Sequence, residues 1–108
     1  MAVVIATKQL QNANLTTGVG TAFALDKVYR NFSFNKRVGG TGAFSALVVN
    51  YEGSIDGTNW FLLGTDNTLT SAPTFVVDKP TLHVRANIAT ATVGSGAPTT
   101  TVDVACEE

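Results

Sequence analysis

The residues able to do chemistry are few. His83 is the only imidazole and Cys106 the only thiol. Nucleophilic catalysis needs a nucleophile beside a base that a third group orients. His83 falls on the polar side of one alternating pattern and Cys106 in another, just before Glu107, so nothing local pairs them. One Cys with one His excludes a Cys/His zinc site, and a lone Cys excludes an intrachain disulfide. A surface histidine and a small buried thiol are expected. Glycoside hydrolysis needs two facing carboxylates. Of the 8 acidic residues, Asp26, Asp56, Asp66 and Asp78 fall at turns, where aspartate usually accepts from its own backbone. Neither Asp56 nor Asp66 sits among the alternating oxygen ligands of a calcium loop. Gly39-Gly40-Thr41-Gly42 lacks the Lys-Ser/Thr that a phosphate-binding loop needs. The expectation is a protein that is not an enzyme, with no catalytic residue, no cofactor and no metal.

Three other groups could act by contact. Lys36-Arg37 is a local basic pair, able to meet an acidic group on a partner or to stand solvated at a strand end. Ala2-Val3-Val4-Ile5-Ala6 is a continuous apolar run, which reads as an edge strand or as an arm that pairs with a neighbouring subunit. Ala2, Val3, Val4, Ile5, Lys36 and Arg37 are therefore candidate interface residues. The third group is Ser54-Ile55-Asp56-Gly57-Thr58-Asn59-Trp60. Ser54 and Asp56 can cap backbone N–H groups in a tight turn, and Gly57 supplies a positive φ. Asn59 closes the loop, and Trp60 is expected to anchor the return strand in the core.

The elements that must hold these groups are strands. The chain has 108 residues and 11.3 kDa, which is one domain. Thr is the most frequent residue with 16 copies, followed by Ala and Val with 13 each. Thr and Val suit a pleated strand better than a helix. Phe32 and Phe34 alternate with polar neighbours, and so do Leu82, Val84, Ala86 and Ile88. Ala43 to Ile55 is the longest strand candidate, with Ala43, Leu47, Val49, Tyr51 and Ile55 on one face. Phe44, Ala46, Val48 and Asn50 share the other, as in a central strand covered twice. Gly39 to Gly42 reads as a loop, Asp56-Gly57 as a hairpin turn and Gly94-Ser95-Gly96 as another turn. Seven to nine short strands with turns about every ten residues predict an all-β fold: a single antiparallel β-sandwich, jelly-roll-like. Residues 1–17 form an N-terminal arm or edge strand and residues 18–108 the sandwich.

Charge removes further classes. Lys plus Arg is 7 and Asp plus Glu is 8, for a net charge of −1. Nucleic-acid binding and polybasic membrane binding both need a basic surplus, so neither partner is expected. Phe32, Phe34, Phe44, Trp60, Phe61 and Phe75 are thus assigned to core packing rather than to a base-stacking platform. Only 14% of residues are charged, against roughly 25% in an average protein, so partners are expected to cover part of the surface.

The hairpin string Ser-x-Asp-Gly-x-x-Trp is similar to one in discoidin-like, carbohydrate-binding β-sandwiches. A longer ordered set resembles small virion proteins of tailed bacteriophages. It comprises Gly39 to Gly42, Ala43 to Val49, Ser54 to Trp60, Val84 to Asn87 and Thr92 to Val104. That resemblance implies a structural virion protein, foremost a capsid decoration (cement) protein that stabilises the head by non-covalent contacts. Its implied partners are the major capsid protein and itself, as a homo-oligomeric dimer or trimer. Its implied location is the capsid surface, after assembly in the host cytoplasm. A tail or head-fibre component is the alternative within that class. A glycan-binding module is the alternative outside it, with Trp60, Tyr51 and Tyr29 as the candidate platform.

Overall fold

A computed structural model describes residues 8–107. Among the described residues, the Thr- and Val-rich segments form seven strands: β1 (Lys8–Asn14), β2 (Gly18–Val19), β3 (Phe23–Tyr29), β4 (Asn31–Ser54), β5 (Trp60–Asp66), β6 (Ala72–Val76) and β7 (Thr81–Glu107). Every pairing is antiparallel.

The frame is one long ribbon. β4 and β7 pair from Asn31↔Glu107 to Ser54↔His83. A straight strand of 24 residues would run about 80 Å. The longest dimension of the molecule is 44 Å, so the ribbon folds back on itself. Phe34 and Tyr51 lie on the same strand, yet their rings stack with centroids 4.2 Å apart. The bend coincides with Gly40, Gly42 and Gly96, at φ 75°, 73° and 65°, and with register shifts on both sides of Phe44. Such irregularities let a strand leave one layer and enter another. At Gly42 a Cβ would stand 2.0 Å from the Ser95 carbonyl oxygen, so no other residue fits there.

This corrects one expectation. Gly39 to Gly42 is not a loop and Gly94-Ser95-Gly96 is not a turn. Both are paired backbone in the bend, which is why short predicted strands merge into strands of 24 and 27 residues.

Folding the ribbon gives two layers. In the first, the C-terminal half of β7 and the N-terminal half of β4 lie between β1 and β6. In the second, the other halves lie between β3, with β2, and β5. The protein is an all-β, antiparallel sandwich. Phe32, Phe34, Leu47, Val49, Tyr51, Val84, Ile88, Val102 and Val104 fill the space between the layers. Each such side chain contributes roughly 1.5–3 kcal/mol by leaving water.

The facing of β4 also departs from simple alternation. Leu47, Val49 and Tyr51 point inward, but the register shifts turn Phe44 inward as well. Ala43 and Ile55 are exposed. The outer positions Ala46 and Val48 are only half-buried, so β4 is covered on one face rather than two. β1 occupies one side of the first layer, where Gln11 is buried and its Nε2 donates to the Ala86 carbonyl at 2.7 Å across the core. The candidate interface residues Ala2, Val3, Val4 and Ile5 lie outside the described residues.

Candidate functional site

The β4–β5 hairpin is held by side chains bonding to backbone. Ser54 Oγ accepts from the Gly57 N–H at 2.8 Å. Asp56 Oδ1 accepts from the N–H groups of Thr58 and Asn59 at 2.9 and 2.8 Å. Its Oδ2 accepts from Asn59 Nδ2 at 2.7 Å. The backbone donors of Asn59 and Thr58 hold the Asp56 carboxyl well below the usual carboxylate range. Gly57 adopts φ 78° and lies over the His83 ring, which a Cβ would approach to 3.3 Å. With both carboxylate oxygens engaged inside the loop, Asp56 serves the turn.

Trp60 is not in the core, contrary to expectation. It pairs with Ser54, whose other partner is His83, and this places the indole on the outer face of the second layer. There it is half-buried. The Arg85 guanidinium lies 4.0 Å from the Trp60 ring centroid, and His83 meets the ring edge-on at 6.5 Å. Arg85 Nε donates to Glu52 Oε1 at 2.7 Å. The result is a laterally connected polar and aromatic surface. The Arg85 cation occupies the ring face on which a sugar would stack.

The Lys36-Arg37 pair is divided by strand alternation. Lys36 is fully buried, so its assignment to an interface is overturned. Inward-facing Phe34 and Lys36 share one side of β4. The ammonium donates to Asp66 Oδ1 at 3.1 Å, to Thr68 Oγ1 at 2.9 Å and to the Thr68 carbonyl at 2.6 Å. Asp66 Oδ1 also accepts from the Thr68 N–H and hydroxyl, while Oδ2 is buried without a hydrogen-bond partner. Burial pushes the Asp66 carboxyl up, but the Thr68 hydrogen bonds and the Lys36 charge outweigh it and hold it below the usual range. Arg37 points the other way, to solvent, and pairs with Asp103 at 2.7 Å.

Sequence reasoning missed the surface most suited to contact. Outward-facing Phe75 and Val77 are 69% and 72% exposed, and Pro73 is exposed beside them. Assigning Phe75 to the core was incorrect: Phe32, Phe34 and Phe44 are buried, while Trp60, Phe61 and Phe75 are not. A shallow groove of about 300 Å³ crosses the end of the first layer, lined by Phe32 and Ser33 of β4, Phe75 and Val76 of β6, Val77 and Glu107 among others. β6 pairs with β4 on one side, and no described strand pairs its other side. The signal in the sequence was Pro73-x-Phe75-x-Val77, an apolar alternation opposite the inward-facing Val76. Among the described residues, no three His, Cys, Asp or Glu side chains gather as metal ligands would.

The architecture defines an antiparallel β-sandwich, a fold that a known structure shares. The fold matches the crystal structure of the SPBc2 prophage-derived protein YomS with a TM-score of 0.69 and 8% identity, over 100% of this chain and 96% of that one. A Yersinia pseudotuberculosis-derived mitogen aligns with a TM-score of 0.43 and 11% identity, over 98% of this chain and 85% of that one. No protein-family profile and no curated protein sequence matches the chain.

Proposed function

We propose that the chain is a structural component of a phage particle, acting through non-covalent contacts, and most specifically a capsid decoration protein. The observation that carries this reading is the end-to-end fold likeness to a prophage-derived protein. The resemblance of its ordered strings to small virion proteins of tailed bacteriophages agrees with it. The exposed apolar row on β6 supplies a contact surface of the kind such a role requires. A cement protein works by joining neighbours with many weak contacts on a rigid body. Here the rigid body is the folded ribbon, and β6 offers side chains and backbone groups together. Each backbone hydrogen bond to a neighbouring strand adds about 0.5–1.5 kcal/mol net. The stacking of Arg85 on Trp60 weighs against a glycan platform at that residue.

Quantitative mass spectrometry of purified particles tests the reading. Copy number comparable to the major capsid protein is the expected result. A handful of copies per particle would move the protein to the tail or a head fibre. Absence from particles would overturn the virion role.

A further inference from the structure

We propose that β6 is the receptor strand for the apolar segment 2–6 of a second copy of this chain, so that copies assemble by strand addition. The inference rests on the self-assembly part of the reading above and not on location in a virion. Its first support is the surface itself. Phe75 and Val77 are the two most exposed large hydrophobic residues among those described; Phe75 is in β6, which is paired on one side, and Val77 follows its last residue. Such an edge is a template for another strand. Its second support is the complementary segment. Ala2-Val3-Val4-Ile5-Ala6 is five consecutive apolar residues, long enough to cover the exposed stretch from Phe75 to Val77.

Topology decides that the occupant comes from another molecule. β1 and β6 are on opposite sides of the first layer, separated by β7 and β4. Three strand spacings put them about 14 Å apart. Only residue 7 separates the segment from Lys8, where β1 begins. Two peptide steps, from residue 6 to residue 8, span at most about 7.6 Å. A chain cannot therefore lay residues 2–6 along its own β6, whichever direction they run. A second copy has no such restriction. β1 starts opposite Val104, at the same end of the layer as Phe75, whose row runs through Ser33 to Ala105. Pro73 has no N–H, which confines the added strand to the stretch from Phe75, in β6, to Val77 just past its end. Donor segment and receptor strand are different surfaces, so copies close either by reciprocal exchange as a two-fold pair or head to tail as a ring.

Light scattering after size exclusion tests this on the full chain. Two variants are needed: Val4→Lys with Ile5→Lys in the segment, and Phe75→Lys with Val77→Lys at the receptor edge. The wild type is expected as a multiple of 11.3 kDa at about 100 µM. Each variant is expected at the mass of one chain with an unchanged circular dichroism spectrum. Mixed, the two should form a 1:1 pair and stop there, because each carries the half the other lacks. A monomeric wild type, a segment variant that assembles like the wild type, or a mixture that stays monomeric would each overturn the inference. A photo-crosslinking phenylalanine analogue at position 75 gives a second readout independent of variant folding. Crosslinks to the first eight residues of another copy support the inference, whereas crosslinks to a second β6, or none, refute it. Absence from phage particles with assembly intact would instead refute only the virion role.

Discussion

Replacing Lys36 with methionine keeps most of the side-chain stem and removes the charge. The structure sets the size of the effect. The ammonium is fully buried and faces a carboxylate whose side chain is 3% exposed. Without Lys36, the Asp66 charge retains the two Thr68 donors but loses its counter-ion, with Oδ2 already unpartnered. Breaking a buried pair on one side costs about 3–5 kcal/mol, a large share of the ~5–15 kcal/mol that holds a domain together. In a chain of this size that is a fall in Tm of at least ~12 °C. Urea unfolding followed by Trp60 fluorescence measures the loss, with an unchanged m-value showing that the native state is still folded. Adding Asp66→Leu should recover most of it, since an apolar pair in place of a buried ion pair is often neutral or stabilising. A loss below ~1 kcal/mol for Lys36→Met would refute the reasoning, because an exposed pair costs that little. Failure of the double variant to recover stability would show that Thr68, rather than the charge, carries the site.

Three further outcomes are expected. Asp56 has a depressed carboxyl pKa in the fold, so its contribution is present above the unfolded value near ~4 and is lost as pH falls through the folded value. A carbon-detected NMR titration showing an ordinary Asp56 midpoint would contradict the loop geometry. Trp60→Ala should cost roughly 1–2 kcal/mol, from lost packing and the Arg85 contact, rather than the ~3–5 kcal/mol of a buried aromatic. Chemical denaturation distinguishes the two. Burial pushes the Cys106 thiol up to about 12, so it should resist a disulfide-exchange reagent at pH 8 in the native protein and react once unfolded. Rapid labelling of the native thiol would show that the end of β7 is open.

The proposed assembly through a strand edge would depend on the same stability. A receptor strand must keep its shape before its partner arrives, and the Lys36–Asp66–Thr68 cluster lies behind that strand. Lys36 stands opposite Ala72 at the start of β6, and Thr68 belongs to the loop that delivers the chain to it. Loss of the cluster is therefore expected to loosen the receptor strand as well as the core.

The sequence alone determined the class of this protein. Alternation at Phe32 and Phe34 and at Val84, Ala86 and Ile88 is local, because side-chain direction in a strand repeats every two residues. The hairpin from Ser54 to Trp60 was legible for the same reason, since its bonds join residues two or three apart. What only the tertiary structure decided depends on distant partners. Gly39 to Gly42 carries a loop composition, but pairing with residues 96 to 99 makes it a bend within one strand. Lys36 is charged and adjacent to Arg37, yet Asp66 and Thr68, thirty residues or so away, make its burial affordable. Trp60 and Phe75 are apolar enough for a core, but pairing to Ser54 and Ser33 turns them outward. Composition fixes how much apolar surface a chain has, whereas strand register fixes which part of it faces water.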